Sequence, residues 1–329
     1  MWDNTTMQVS AARRGAFGDP RAVSSRWSIP PDGNGMTAVE VLAHKLRRLG
    51  HDRAKSVIDA GDLRIVDGDT TREPVGDERL SKGTIVELWR LPPDDPEDIV
   101  DPPCILHHAA GLLVVDKPGD LAVHPTARYL HATLTSWLRR NGTPANPCHR
   151  LDRETSGVLV CADDGVVERK WKQGFAAGRV KKQYLAIVDG VVGGERLVDL
   201  PLLLQGERGL VRIKMIVDDD CAHSVTLVEP LHVSGDGRRT LVRCHPQTGR
   251  QHQLRAHLAA IGHPIVGDKL YQMGEPWFDA FTRFALTDDD KALLPCPRQC
   301  LHAARVELDG EIFEAPTPPL FATVLDASR

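Results

Sequence analysis

The sequence predicts an α+β protein: a mixed, largely antiparallel central sheet flanked by helices, with a small α+β unit ahead of it. Three observations carry this reading. Helix-period and strand-period segments interleave along most of the 329 residues, without the steady strand-helix-strand rhythm of a parallel sheet. An acidic, proline-rich stretch over 93–103 separates a short patterned segment from a long one, as prolines and mutually repelling charges in a linker would. No apolar run approaches the roughly 20 residues that cross a bilayer, so no membrane partner is expected.

Residues 1–35 are rich in Arg, Ser, Gly, Pro and Asp, lack periodicity and read as a flexible tail. They contain no continuous apolar stretch of the secretory kind, so a cytoplasmic protein is expected. In 36–92, Val39, Leu42, Leu46 and Leu49 recur at helical spacing, and Gly50 supplies a stop. A second helix is expected over Ala54–Ala60, ending near Gly61, followed by strands at Leu63–Val66 and Ile85–Leu88. The order of these elements and the stretch IDAGDLRIVDG resemble the small RNA-binding domain first named from small-subunit ribosomal protein four.

The long unit, 104–329, offers LLVVD (112–116), GVLVCA (157–162), YLAIV (184–188) and LVRC (241–244) as strands. Helices are expected at TLTSWLRR (133–140), where Leu134, Trp137 and Leu138 share a face, and at VERKWKQGFAAG (167–178). In TGRQHQLRAHLAAIGHP, Thr248 and Gln251 have capping-box spacing, Leu254, Leu258 and Ile261 share a face, and Gly262 with Pro264 supplies the stop.

The net charge of −4 argues against a polyanionic partner, but the linker's five acidic residues more than account for it. Basic clusters at 44–55 and 178–184 permit a nucleic-acid partner; on charge alone each is equally a solvated helix or strand end. The seven cysteines are odd in number and scattered, as reduced thiols would be. Cys296, Cys300 and His302 lie close in sequence but lack the second ligand pair of a zinc site, so no metal is expected. The sequence has no Walker motif and no G-x-G-x-x-G loop, and no cofactor is expected.

The segment HRLDRETSG (149–157) places an acid between two arginines just before a buried strand. Loops at strand ends present reactive groups on a rigid frame, and flanking guanidiniums favour an ionised carboxylate. On these residues alone the segment is a candidate site and equally a surface loop of paired charges. Upstream stands LLVVDKPGDLAVHPT (112–126); downstream follow KKQYLAIV (181–188), QTGRQHQLRAHLAAIGHPIVGDKLY (247–271) and QCLHA (299–303). In this order and spacing, over roughly 104–325, the set resembles the RluA-type family of pseudouridine synthases.

The resemblance implies a pseudouridine synthase fold and an isomerase that converts uridine to pseudouridine within structured RNA. It implies Asp152 as the catalytic carboxylate and Arg255 as its paired cation. It implies Tyr184 against the target base with a part in proton removal, Arg150 in the gap left by the flipped nucleotide, and Leu301 beside the uracil. Two departures stand out. The family has Ala-Gly after DKP where this chain has Gly119-Asp120, and it commonly has a basic residue near CAHSVT (221–226) where this chain has none before Ala222.

The residue types suit the reaction. The base must leave its stack, which costs a few kcal/mol, and an arginine can fill the gap by stacking and hydrogen bonding. A carboxylate can attack the nucleoside or stabilise positive charge on the ribose. Attack on the sugar, attack on the base and passage through a glycal all stay open for Asp152. His149, His252 and His257 are read as hydrogen-bonding groups of the fold. The expected partner is RNA, ribosomal RNA favoured by the N-terminal unit and transfer RNA as the alternative, with the chain a monomer. The competing reading is an RNA-binding assembly factor without catalysis.

Overall fold

The computed structural model describes residues 16–18, 22–46, 51–90, 99, 101–126, 129, 131–282 and 285–326. The chain divides into two compact units, Met1–Asp95 and Pro96–Arg329.

In the first unit the strands are β1 (Val23–Ser28), β2 (Leu63–Asp67), β3 (Thr70–Arg72) and β4 (Ile85–Arg90), in the antiparallel order β1-β4-β2-β3. Helices α1 (Ala38–Lys45) and α2 (His51–Asp59) bury Leu42 and Ala54 with Ile29, Leu63 and Val86 of the sheet side. Thr37 and Glu40 close a reciprocal capping box at the start of α1. Two expectations change here. β1 lies inside the stretch read as a tail; its sequence, VSSRWS, is too polar to show a strand period, yet it pairs with β4 along its whole length. Helix α1 ends at Lys45, and Leu49 and Gly50 lie outside the described residues, as do tail residues 1–15 and 19–21 and most of the acidic linker.

The second unit runs β5 (Cys104–Ala109), β6 (Leu112–Lys117), α3 (Leu134–Arg140), β7 (Asn146–Pro147), β8 (Ser156–Ala162), α4 (Gly165–Ala176) and β9 (Lys181–Asp189). It continues with β10 (Arg196–Leu204), β11 (Met215–Val217), β12 (His223–Val233), β13 (Arg239–Pro246) and α5 (Gln253–Ala260). It ends with α6 (Glu275–Thr282), α7 (Asp288–Ala292), β14 (Leu301–Leu308), β15 (Glu311–Glu314) and α8 (Pro319–Asp326). Among the described residues these strands form one eleven-stranded sheet, β11-β10-β12-β13-β9-β14-β8-β6-β5, with β15 on β14 and β7 on β8.

Strand β8 is buried on both faces, as its unbroken apolar run requires. Leu159 and Cys161 pack with Leu134 and Leu138 of α3, while Val158 and Val160 pack with Trp171 of α4. Its ladder with β14 is parallel, Ser156 opposite His302 and Gly157 opposite Ala303; the other strand ladders are antiparallel. Gly157 makes that approach possible: its φ is +110°, and a Cβ there would lie 2.2 Å from the Ala303 carbonyl oxygen. HRLDRETSG therefore ends in glycine because two strands meet there.

The expected Thr248–Gln251 box does not form. Helix α5 begins at Gln253, after His252 in a left-handed turn (φ +50°). Thr248 Oγ1 donates instead to Gln253 Oε1 at 2.8 Å and accepts from the Val225 amide at 3.1 Å. Gln253 Nε2 donates back to the Val225 carbonyl and to Thr226 Oγ1, both at 3.1 Å. The polar pattern staples the helix start to β12 across the sheet, and Gln253 is the residue that does it.

Candidate active site

A cleft of about 420 Å³ opens where the 149–155 loop, β9, the loop before α5 and the start of β14 converge. That volume falls in the range of small-molecule sites. Asp152, Tyr184, Arg255, Arg150 and Leu301 all line it.

Asp152 follows β7 on a loop that is latched to the 298–302 segment. Arg298 Nη1 donates to the Glu154 carbonyl at 3.1 Å, Gln299 Nε2 to Thr155 Oγ1 at 2.7 Å, and His302 Nδ1 meets Ser156 Oγ at 2.9 Å. From below, the buried Lys117 ammonium donates to the carbonyls of Pro118, Leu121 and Arg153 at 2.7, 2.9 and 3.1 Å. All three of its N–H donors are used.

The flanking arginines are not the carboxylate's partners. Arg153 pairs with Asp120 and Glu154 at 3.1 and 2.9 Å, and Arg150 acts on Asp152 only through its charge. The partner is Arg255, which comes from α5 and donates from Nη1 to Asp152 Oδ2 at 2.9 Å. Helix α5 buries Gln253 to Leu258 without a break, so Arg255 is held inside the protein and needs compensation. Asp268 supplies it: Arg255 Nε and Nη2 donate to its two oxygens at 2.6 and 2.9 Å. The amides of Leu270 and Tyr271 also donate to Asp268, each at 2.9 Å.

Burial would raise the pKa of Asp152, but the charge that His252 carries once protonated, then the charge and hydrogen bond of Arg255 and the more distant charge of Arg150, hold the carboxyl below its ordinary value. His252 Nε2 stands 3.8 Å from the same oxygen. Burial, reinforced by Arg255, pushes that imidazole down to about 4, so it is neutral at pH 7 and leaves the charge to Arg255. Its other nitrogen meets the Tyr271 hydroxyl at 3.3 Å. Burial, reinforced by Asp152, raises the Tyr184 phenol well above its ordinary value, so it stays protonated.

His149 accepts a hydrogen bond from the Val160 amide at 3.0 Å and stacks on Phe175. His257 meets Thr226 Oγ1 at 3.0 Å. All three histidines therefore bond within the fold, as expected. The reading of single residues missed Asp268. An acid inside the apolar run PIVGDKLY is its signal, because a carboxylate buried there must have a cation.

The departure at Gly119-Asp120 has a local cause. The Arg298 side chain lies against Gly119, where a Cβ would stand 2.3 Å from its Cδ and Nε. Asp120 takes the left-handed turn (φ +68°) and reaches Arg153.

Residues 111–260 match the RNA pseudouridylate synthase family. The chain is 31% identical over 242 residues to the mitochondrial tRNA pseudouridine(32) synthase of Saccharomyces cerevisiae, covering 73% of this chain and 51% of that one. It thus spans about half the length of that relative. It is 32% identical over 317 residues to ribosomal large subunit pseudouridine synthase D of Xanthomonas campestris, covering 91% of each. Among solved structures it resembles human RNA pseudouridylate synthase domain containing 1, with a TM-score of 0.53 and 28% identity over 70% of this chain and 89% of that one.

Proposed function

Because the chain belongs to the RNA pseudouridylate synthase family, we propose that it isomerises specific uridines to pseudouridine in large-subunit ribosomal RNA. The observation that carries the reaction is the Asp152–Arg255 pair in a cleft also lined by Tyr184 and Leu301. The reaction breaks the bond from ribose to a ring nitrogen and remakes it to ring carbon 5, so it needs an anion beside the sugar and base. Arg255 keeps that anion ionised and aimed, and Asp268 keeps Arg255 in place. Leu301 gives the uracil an apolar wall. Tyr184, protonated at rest, takes the carbon 5 proton only as it hands its own to a second acceptor.

The ribosomal target is supported by the relative matched along 91% of both chains, whose name carries that RNA. A transfer RNA target is the second reading, favoured by the yeast relative named for tRNA. The N-terminal unit would supply further RNA contact. Cleft charge fits either RNA: Arg150, Lys182 and Arg250 line it in addition to the compensated Arg255, against the single carboxylate of Asp152.

The test is to map pseudouridines in a deletion strain and its parent by carbodiimide-dependent reverse-transcription stops. Complementation compares the wild type with Asp152→Asn. Loss of one or a few ribosomal sites, restored only by the wild type, supports the proposal. Loss from transfer RNA alone moves the target. Full restoration of a growth defect by Asp152→Asn would instead favour the assembly-factor reading.

A further inference from the structure

Strand β9 turns alternate residues to the same side, so the Lys and Tyr of K-x-Y, Lys182 and Tyr184, both face the cleft. The catalytic reading uses the tyrosine and leaves the lysine without a task. Lys182 Nζ donates one hydrogen bond, to the Thr248 carbonyl at 2.8 Å. An ammonium has three donors, so two are left over. Among the described residues Lys182 forms no ion pair, although it is well buried; burial pushes it down to about 8 with no carboxylate to oppose the shift.

A buried cation without an anion is unfavourable unless a ligand completes it. The same cleft holds two more cations without a carboxylate partner among the described residues, Arg150 and Arg250, both exposed. Its one carboxylate, Asp152, is committed to Arg255. Gly249, which also lines the cleft, lies beside the ammonium: a Cβ there would stand 3.7 Å from Nζ. A uracil offers only neutral carbonyls to these surplus charges. A phosphodiester offers a full negative charge and two acceptor oxygens.

We infer that Lys182 is the base of a phosphate subsite, which with Arg250 at its rim grips a phosphodiester next to the target uridine. The inference rests on the RNA-isomerising reading and adds to it the group that anchors the nucleotide while its base is turned into the cleft. Lys182 acts in binding, so its loss falls on KM and leaves the chemical step intact.

The experiment is a cycle in the full-length protein with a short RNA stem-loop carrying the mapped target uridine. The phosphate on its 5′ side, or on its 3′ side, is replaced by a neutral methylphosphonate. Wild type and Lys182→Met are compared on each RNA. At one of the two positions the methylphosphonate raises the wild-type KM roughly tenfold or more, as loss of a charge-assisted hydrogen bond would. Lys182→Met raises KM to a similar extent on unmodified RNA and shows little further loss on that methylphosphonate RNA. Lys182→Arg recovers part of the affinity. The slope of log Kd against log salt falls by about one for Lys182→Met. Multiplying effects at both positions, or an unchanged KM and salt slope in Lys182→Met, overturns the subsite. The wild-type methylphosphonate comparison stands even if Lys182→Met folds poorly; insensitivity to both replacements also overturns it. Failure of the function reading looks different: no pseudouridine forms on any RNA, whereas here the wild type turns over and the subsite alone is absent.

Discussion

Asp268 grips Arg255 through two hydrogen bonds, of 2.6 and 2.9 Å, and leaves the Nη1 of that guanidinium to Asp152. Asp268 is fully buried, so it is a positioning residue for the carboxylate it never touches. Asp268→Ala would leave a buried guanidinium half-compensated and should lower stability by about 3–5 kcal/mol. Asp268→Asn keeps the shape and one acceptor and should lose less. Urea unfolding of the two variants checks the order.

Asp152→Asn should behave differently. Arg255 retains Asp268, so stability should stay within about 1 kcal/mol of wild type, as for a change that leaves a buried ion compensated. Pseudouridine formation should fall by at least about a thousandfold, the scale at which loss of a group central to the chemistry is felt. Nucleoside analysis of digested RNA after single-turnover incubation, alongside an RNA-binding assay, separates the two effects.

Acid should destabilise the protein before its carboxylates titrate. Burial depresses His252 and His302 to about 4 and His149 to about 3. A histidine whose folded pKa is depressed costs nothing above its unfolded value near 6.5. Below that, the unfolded chain takes up protons that the folded chain refuses, so stability falls as pH drops from about 6.5 towards 4. His252 alone contributes a loss of roughly 3 kcal/mol at the lower end. Denaturation midpoints from pH 7 to 4 should show the decline, and His302→Gln should flatten it. Asp152 adds its own term lower down: its depressed pKa gives stability that is present above the unfolded value and lost as pH falls through the folded one.

Gly157→Ala should be among the most damaging single-methyl additions. The new Cβ would meet the Ala303 carbonyl oxygen at 2.2 Å on a backbone with φ +110°. Both terms act at the β8–β14 ladder, and overpacking with backbone strain together should cost at least about 3 kcal/mol. Soluble yield and melting temperature read this directly.

Gly119→Ala tests the departure after DKP. An alanine Cβ there would enter the space that the Arg298 side chain fills. The variant should displace Arg298 from the Glu154 carbonyl and loosen the Asp152 loop, lowering kcat more than stability. The unfolding midpoint measured beside kcat checks this order.

Much of this architecture was legible in the residues. The apolar run of β8 and the periods of α3 and α4 gave themselves away because packing on a core demands those patterns. The polar edge strand β1 stayed hidden because backbone pairing, not side-chain burial, holds it. The five named site residues meet in one cleft; Asp152 carries a local signal, an acid between two arginines before a buried strand, and the other four rest on motif resemblance. What local reading could not supply was pairing at a distance. It gave Asp152 the arginines on either side, whereas Arg255 is 103 positions away. It gave Thr248 a partner three residues on, whereas the fold uses Gln253 to tie the loop to β12. Gly119 answers to Arg298, which the fold brings against it from far downstream in the chain.

The short parallel ladder between β8 and β14 has a consequence for how the enzyme matures. Asp152 stands beside one bank of the sheet, and Arg255 and Tyr184 belong to the other. The join is made by residues far apart in the chain: Ser156 and His302 are 146 positions from each other. Contacts of such long separation carry a large loop-closure cost and form after local ones. Without the segment that leads into β14, the loop carrying Asp152 would lose its ties from Arg298, Gln299 and His302, which hold it opposite Arg255. Placement of the carboxylate is therefore a property of the completed sheet, and neither bank carries the site by itself.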